Sequence, residues 1–145
     1  MAKRGGPGKA IGHAVMGLLV WLYRRSGGRV GGTMKGAPVL LLTTTGRRSG
    51  RPWTNPVIYR PDGDGWVVIA SNGGRPRHPA WWLNLRATPS ATIEMGRETV
   101  AVTAAAATGA ERDRLWRLMT AAYAGYDGYA AKTTRRIPVV RLRRR

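Results

Sequence analysis

The densest group of anion-binding side chains in the sequence is a short arginine-rich turn. Arg47, Arg48, Ser49 and Arg51 lie in the segment Gly46–Arg51 (GRRSGR), between two stretches of strand character. Guanidinium groups, a hydroxyl and the N–H groups of a turn are the donors that proteins use to bind phosphate. The turn is therefore a candidate phosphate site, with a solvated basic hairpin as the alternative reading.

Two further segments could hold a planar ring. Ala70-Ser-Asn-Gly-Gly74 ends a predicted strand, and its glycines would let the backbone approach a ring closely. The segment Pro79–Leu85 (PAWWLNL) carries an aromatic pair, of which Trp81 could form a wall of the site while Trp82 is structural. Without other information such a pair belongs to a core more often than to a site.

Tyrosines recur at every third position near the end of the chain. Tyr123, Tyr126 and Tyr129 would fall near one face of a helix, which Gly125 and Gly128 interrupt. This pattern predicts a mobile lid that lines a substrate pocket. The alternative is an aromatic stripe that closes the fold.

Several common chemistries are excluded by composition and spacing. The chain has no cysteine, seven Asp and Glu residues that form no catalytic pair, and two isolated histidines. His78 lies in a loop beside the candidate site, where a solvated role is the simpler interpretation. Without a metal motif, a Walker loop or a hydrolytic triad, an enzyme of this sequence would take its hard chemistry from a bound cofactor.

Charge is the most extreme property of this chain of 145 residues. It has 25 Lys and Arg residues and a net charge of +18, which would attract a phosphorylated cofactor, acidic lipid or nucleic acid. The absence of cysteine fits a cytoplasmic location, and we find no secretory signal. The helix predicted at 10–25 has a basic flank and could lie on an anionic membrane, although packing on the core is the more common use of such a stripe.

The order of predicted elements indicates one mainly β domain with helices, an α+β protein. Basic tails are expected at 1–9 and 143–145, on either side of a single domain at 10–142. Helices are predicted at 10–25 and 80–86, and a third begins at a capping box at 108–111 and ends near 125. Strands are predicted at 38–45, 52–60, 66–71, 90–95, 99–106 and 137–142. Short antiparallel strands in this order favour a small barrel over a parallel sheet.

Four ordered motifs give the chain a resemblance to a known family. The motifs are Leu42–Arg51, Asn55-Pro56, Ala70–Gly74 and Pro79–Leu85, followed by the tyrosine series. Together they resemble the deazaflavin (coenzyme F420)-dependent nitroreductase family of actinobacteria, over residues 20–142. The resemblance implies a split β-barrel, similar to flavin reductases and FMN-binding proteins.

The resemblance also implies a function, an oxidoreductase that passes hydride from reduced coenzyme F420 to a quinone, nitroaromatic or activated alkene. Ser71 and Tyr129 are the candidate catalytic hydroxyls, and Tyr123, Tyr126 and Tyr129 would contact the acceptor. The implied cofactor-binding residues are Arg47, Arg48, Ser49, Arg51, Asn55, Ala70, Ser71, Asn72, Gly73, Ala80 and Trp81. Relatives often carry lysine at position 72, so Arg75 or Arg77 would have to supply the missing charge here.

Two other classes of function stay open at this stage. A split barrel could bind FMN, which we expect to fit less well, or haem, or could carry a cofactor without catalysis. A basic nucleic-acid-binding domain is the alternative from another class, but the aromatics do not alternate with arginines on a strand face. We therefore expect a small-molecule partner and no specific nucleic acid, with peripheral membrane contact through the first helix as an option.

Overall fold

Six antiparallel strands close into a barrel in the computed structural model, which describes the backbone of residues 7–145 and the side chains of residues 14–145. The six barrel strands are β2 (Ala37–Thr45), β3 (Pro52–Asp62), β4 (Gly65–Ile69), β5 (Ser90–Met95), β6 (Glu98–Ala106) and β7 (Val139–Arg144), and a seventh short strand, β1 (Thr33–Met34), pairs with β2 outside the closed ring. They pair in the order β1-β2-β3-β4-β7-β6-β5, and β5 also pairs with β2 to close the barrel. The predicted α+β split-barrel fold is confirmed.

The apolar run of β2 is explained by contacts on more than one side of the strand. Leu40 and Leu42 point into the barrel, where they meet residues of β4, β5, β6 and β7. Val39 joins a second cluster beneath the helix at Gly109–Ala122, and Leu41 packs against the first helix. Because the neighbours of β2 cover both of its faces, the strand lacks the polar alternation of a half-exposed strand.

Four helices pack around the barrel. They are α1 (Pro7–Ser26), α2 (Ala80–Ala87), α3 (Gly109–Ala122) and α4 (Gly125–Lys132). α2 adds Trp81, Trp82 and Leu85 to the barrel interior, which confirms the structural interpretation of Trp82. α3 and α4 cover the second cluster with Leu115, Met119 and Tyr126, among other residues.

The apolar stripe of α1, for which packing on the core was the more common expectation, is only partly buried. Among the described side chains of this helix, those from residue 14 onward, Val20 and Tyr23 are buried, and the Tyr23 hydroxyl donates to the Val39 carbonyl oxygen at 3.0 Å. Val15, Leu18 and Trp21 lie on the opposite side and are more than half exposed, at 51%, 56% and 58%. Only one face of the helix is therefore used by the barrel.

Some boundaries differ from the sequence predictions. The expected N-terminal tail at 1–9 falls partly in α1, which begins at Pro7, and residues 1–6 lie outside the described residues. Arg143 and Arg144, expected in the C-terminal tail, belong to β7 and pair with β6. Thr108 precedes α3 as predicted, but its side chain makes no capping hydrogen bond. The short elements β1 and α4 were not predicted as separate elements, since each is stabilised by tertiary contacts.

The barrel is split where β3 separates from β4. β3 pairs with β2 from residue 52 to 58, but with β4 only from residue 59 to 62. Pro56 lies in the half without a β4 partner, where its missing N–H cannot cost a hydrogen bond to β4. This agrees with the edge position predicted for Pro56 and leaves an opening between the two strands.

Candidate functional site

The arginine turn is a tight, internally bonded loop between β2 and β3. The Gly46 N–H donates to the Arg51 carbonyl oxygen at 2.8 Å, and the Gly50 N–H donates to the Gly46 carbonyl oxygen at 2.9 Å. The Ser49 hydroxyl accepts the Arg51 N–H at 3.2 Å. The turn is thus rigid, while the side chains of Arg47, Arg48 and Arg51 are exposed.

Asn84 of α2 fixes this turn to the barrel, a role that the sequence analysis missed. Its side-chain oxygen accepts the Arg47 N–H at 3.1 Å, and its amide nitrogen donates to the Thr44 hydroxyl at 3.1 Å. Only 4% of Asn84 is exposed. A buried amide is stable when its polar atoms are paired, and here both are used to position the turn. The signal in the sequence was a lone polar residue within the apolar run Trp81–Leu85.

A cavity of about 940 Å³ lies beside the turn. Its walls come from the inner face of α1, the turn, β3 and the start of α2. The lining residues include Met16, Val20, Arg47, Arg48, Ser49, Asn55, Ala80, Trp81 and Asn84. Arg24 also lines it, but Glu94 pairs with this guanidinium at 2.9 Å. The cavity-lining cations without a carboxylate partner are therefore those of the turn, Arg47 and Arg48, of which Arg47 donates through Nη1 to Asn84 Oδ1 at 3.5 Å.

A second cavity of about 540 Å³ opens at the split between β3 and β4. It is lined by Lys35, Asn55, Ile69, Ser71, Asn72, Gly73, Arg75, His78, Ala80, Trp81, Tyr123, Tyr126 and Tyr129, among others. Asn55, Ala80 and Trp81 line both cavities. The two cavities are thus neighbouring parts of one groove, with the arginine turn in one part and the tyrosines in the other.

Arg135 fixes the loop that follows β4. Its guanidinium donates to the carbonyl oxygens of Ala70 at 3.1 Å, Ser71 at 2.6 Å and Arg75 at 3.0 Å. The side chain of Ala70 is fully buried in the barrel, so its predicted place in the cofactor site is not seen. The Ser71 hydroxyl, in contrast, lines the cavity and makes no hydrogen bond to another described residue.

Asn72 has a left-handed backbone, with φ of 48°, and its amide donates to the Arg77 carbonyl oxygen at 3.0 Å. Arg75 lines the cavity, whereas Arg77 does not. Of the two residues expected to replace the lysine of relatives at position 72, Arg75 is the one that the fold brings to the site.

The ring of His78 is held in place by Arg135. Arg135 Nη1 lies 3.1 Å from His78 Nδ1. Since arginine is a permanent donor, Nδ1 must accept, and the proton of the neutral imidazole is on Nε2. Burial, together with the positive charges of Arg135 and Arg86, lowers the pKa of His78. His78 is therefore a neutral donor in the cavity wall and not a freely solvated side chain.

The three predicted tyrosines converge on the second cavity. The hydroxyls of Tyr123 and Tyr129 lie 2.9 Å apart, and both accept from the Lys35 ammonium, at 2.8 and 3.1 Å. Tyr126 is 4% exposed, and burial raises the pKa of its hydroxyl. The Lys35 ammonium holds the pKa of Tyr123 below its ordinary value. Lys35 was not predicted as a site residue.

Most of the residues predicted for the cofactor site line the groove. Arg51 and Ala70 are the exceptions, since neither lines either cavity. Within the described residues there is no group of three or more acidic or histidine side chains that could hold a metal ion. In the same part of the chain, no helix combines the length and hydropathy needed to cross a bilayer.

Comparison with known proteins identifies the family. Residues 15–143 match the family described as F420H(2)-dependent quinone reductase. An F420H(2)-dependent quinone reductase of Mycobacterium tuberculosis H37Rv is 40% identical over an alignment of 139 residues, and the match covers 93% of this chain and 93% of that protein. A solved structure of an F420-H2 dependent reductase has a TM-score of 0.68 at 36% identity, over 72% of this chain and 93% of that chain.

A more distant structure shows the fold alone. The heme storage protein HutZ of Vibrio cholerae has a TM-score of 0.60 over 90% of both chains, at 14% identity. The motifs that gave the resemblance, in contrast, surround a single groove in this chain. The predicted relationship to deazaflavin-dependent reductases is confirmed, and the chain belongs to the F420H(2)-dependent quinone reductase family.

Proposed function

We propose that this protein transfers hydride from reduced coenzyme F420 to a quinone, with nitroaromatics and activated alkenes as further acceptors of the same type. One observation carries the proposal. The arginine turn and the cavity lined by Ser71 and the tyrosines adjoin each other at Trp81. An elongated ligand with an anionic tail and a planar ring would span both parts of this groove.

The residues fit such a cofactor by their chemistry. Between residues 14 and 145, no hydrogen bond or ion pair uses the guanidinium of Arg48 or Arg51, and Arg48 lines the groove. With Arg47 and Ser49 they would bind the phosphate and carboxylates of the tail. Asn55, Ser71, Asn72, Gly73, Ala80 and Trp81 would contact the ring. We assign Ala70 a supporting role, since its backbone groups are bonded within the protein.

The bound cofactor supplies two electrons as hydride, and the protein supplies position and a proton. Tyr123, Tyr126 and Tyr129 would hold the acceptor against the ring. An oxygen of the acceptor becomes negative as hydride arrives, and hydroxyl donors would stabilise that charge. Ser71 and Tyr129 are the hydroxyls that we assign to this catalytic role, because both face the same cavity.

A fluorescence titration tests this proposal. We expect coenzyme F420 to bind, FMN and haem to bind more weakly, and reduced coenzyme F420 to be oxidised when menadione is added. Arg48→Gln should weaken the binding of coenzyme F420 by about tenfold, the effect of losing one charge-assisted hydrogen bond. Arg51→Gln should have a smaller effect, since Arg51 does not line the groove.

Arg117→Gln is the matched control for the arginine variants. It removes the same charge from an exposed position on α3 that lines neither cavity, so the affinity for coenzyme F420 should not change. Tight binding of FMN or haem without binding of coenzyme F420 would instead support the cofactor-carrier alternative. Equal losses in Arg48→Gln and Arg117→Gln would show that only overall charge matters.

We also propose that the protein works in the cytoplasm at an anionic membrane surface. The exposed face of α1 carries Val15, Leu18 and Trp21, and Arg25 and Arg29 follow at its end. An apolar face beside basic residues is the pattern of a helix that lies in the headgroup region. Since the opposite face of α1 lines the groove, such contact would hold the active site next to the lipid.

A further inference from the structure

Lys35 occupies a position that its backbone conformation does not favour. It lies in the turn between β1 and β2, where Lys35 has φ of 52° and Gly36 has φ of 80°. Two positive φ values in succession form a turn that strongly prefers Asn-Gly. A non-glycine residue in the left-handed region is strained, and such residues persist most often at functional sites. A reason for lysine at this position must therefore come from its side chain.

The side chain of Lys35 closes a triangle of polar groups at the cavity. Its ammonium lies 2.8 Å from the Tyr123 hydroxyl and 3.1 Å from the Tyr129 hydroxyl, which are 2.9 Å from each other. The ammonium also lies 4.9 Å from the centre of the Tyr123 ring. All three residues line the cavity at the barrel split. The contact joins two distant parts of the chain, 88 residues apart for Lys35 and Tyr123.

A second lysine near this site lacks that contact. Lys132 of α4 lies over the Tyr129 ring at 5.8 Å, and no hydrogen bond joins it to the tyrosine hydroxyls. Lys35 and Lys132 are the lysines of the chain beyond Lys9, and the remaining cations are arginines apart from His13 and His78. Lysine differs from arginine in presenting a compact ammonium, a point charge that can donate to two hydroxyls at once. The two residues form a natural pair for comparison.

We propose that Lys35 is a positioning residue for the reduction step: its ammonium orients the Tyr123 and Tyr129 hydroxyls toward the acceptor and places positive charge where the acceptor oxygen becomes negative. This inference rests on the proposed function and deepens it, because it names the residue that orients the proton-donating hydroxyls of that site. The ammonium gives both hydroxyls a fixed hydrogen-bond partner at the cavity.

The proposed step balances in electrons and protons. The quinone gains a hydride, and therefore two electrons, from the reduced cofactor, and it gains one proton from a tyrosine hydroxyl to become the quinol. The hydrogen bonds from the Lys35 ammonium stabilise the phenolate that remains, and solvent returns a proton to that phenolate.

The electrostatics of the cluster agree with this role. Hydrogen bonds from Lys35 and then from Tyr129 lower the pKa of Tyr123. Among the described residues, the other titratable or charged groups that line the cavity are Tyr126 of α4 and Arg75 and His78 of the loop after β4, and Lys132 of α4 lies over the Tyr129 ring outside the lining. A donor must be protonated, so the rate should fall as the pH rises through the pKa of Tyr123. That pKa lies below the pKa of an ordinary tyrosine.

Lys35→Asn is the decisive variant, because it separates stability from chemistry. Asparagine favours the left-handed conformation of this turn, so the variant should be at least as stable as the wild type. In single turnovers with menadione, we expect hydride transfer near neutral pH to slow by about tenfold. The alkaline limb of the rate should move to higher pH, and so should the ultraviolet titration of Tyr123, which Tyr123→Phe identifies. Lys35→Arg keeps the charge and should recover part of the rate.

Lys132→Asn is the matched control, and we expect it to leave the titration of Tyr123 unchanged. Binding of coenzyme F420 is measured for every variant by fluorescence, which separates this inference from the proposed function. If the wild type binds and oxidises reduced coenzyme F420 while Lys35→Asn shows the same rate and the same tyrosine titration, the inference is wrong. A loss of thermal stability alone would give Lys35 a structural role and would overturn it as well.

Discussion

At the scale of single residues, the site depends on polar side chains that hold other groups in place. Asn84 fixes the arginine turn, Arg135 fixes the carbonyl groups of the loop after β4, and Lys35 holds two tyrosine hydroxyls. None of these would contact the ring of the cofactor in our assignment. Their effect is to fix the geometry of the donors that do contact the ligand. Such preorganisation increases affinity because less conformational freedom is lost on binding.

Replacement of Asn84 tests this idea. Asn84→Ala removes the hydrogen bonds that join a buried side-chain amide to Arg47 and Thr44, so we expect the free energy of unfolding to fall by about 1–3 kcal/mol. The affinity for coenzyme F420 should fall as well, since the Arg47 N–H loses its acceptor. Urea denaturation and the fluorescence titration measure the two effects.

Asn55→Ala is the comparison for Asn84→Ala. Asn55 lines both cavities, and its side chain makes no hydrogen bond to another described residue. We expect this variant to weaken the binding of coenzyme F420 with little loss of stability. If the free energy of unfolding of Asn84→Ala equalled that of the wild type, Asn84 would not be the residue that fixes the turn to the barrel.

At the scale of elements, one carboxylate joins three parts of the fold. Asp62, at the end of β3, makes two hydrogen bonds to Arg114 of α3, at 2.8 and 2.9 Å, and one to Arg141 of β7, at 2.7 Å. The Arg114 and Arg141 guanidinium groups hold the pKa of Asp62 well below its ordinary range. The acid therefore anchors α3, and with it the helix pair that carries the tyrosines.

Asp62→Asn should destabilise the protein by about 1–3 kcal/mol, because it weakens charge-assisted hydrogen bonds to two arginines. The pKa of Asp62 is lower in the folded state than in the unfolded state. Its contribution is thus complete above about pH 4, the ordinary pKa of aspartate, and is lost as the pH falls below that value. Urea denaturation at a series of pH values from about 3 to about 7, which spans the ordinary pKa of aspartate, measures this dependence.

The ion pair of Glu98 and Arg144 supplies the control for Asp62. It is longer, at 3.6 Å, and its side chains are about 60% exposed, at 60% and 58%. Exposed pairs contribute little, so Glu98→Gln should change the free energy of unfolding by less than about 1 kcal/mol. If Asp62→Asn and Glu98→Gln lowered the free energy of unfolding by similar amounts, the Asp62 cluster would contribute no more to stability than an exposed ion pair.

At the scale of the whole molecule, the net charge of +18 and the exposed face of α1 act together. The charge attracts any polyanion, whereas the apolar side chains select a surface that they can enter. Nucleic acid offers the first property without the second. The combination therefore favours an anionic membrane over nucleic acid as the large partner of this protein.

Vesicle sedimentation tests the membrane contact. We expect the wild type to sediment with vesicles that contain phosphatidylglycerol and much less with vesicles of phosphatidylcholine alone. Replacement of Val15, Leu18 and Trp21 by serine should weaken this binding by at least about tenfold, because buried apolar side chains contribute about 1.5–3 kcal/mol each. Val30→Ser, which changes an exposed apolar residue outside α1, is the control. Unchanged sedimentation of the triple variant would exclude this face as the contact.

The sequence by itself determined the barrel, the arginine turn and the family. These features depend on short-range patterns: apolar runs of strand length, a glycine-bounded turn and motifs in a fixed order. The strand at 90–95 and the helix that begins after Thr108 are two elements that the local sequence predicts well. The stripe of α1 was harder, because periodicity shows that a helix has an apolar face but does not say which residues meet the barrel.

The tertiary structure alone decided which polar groups meet. Lys35 and Tyr129 are 94 residues apart, Asn84 and Arg47 are 37 apart, and Arg135 and Ser71 are 64 apart. No local pattern encodes these contacts, because each depends on how the barrel closes and how its helices pack on it. The same reason explains Ala70, whose neighbours in sequence line the site while its own side chain points into the core.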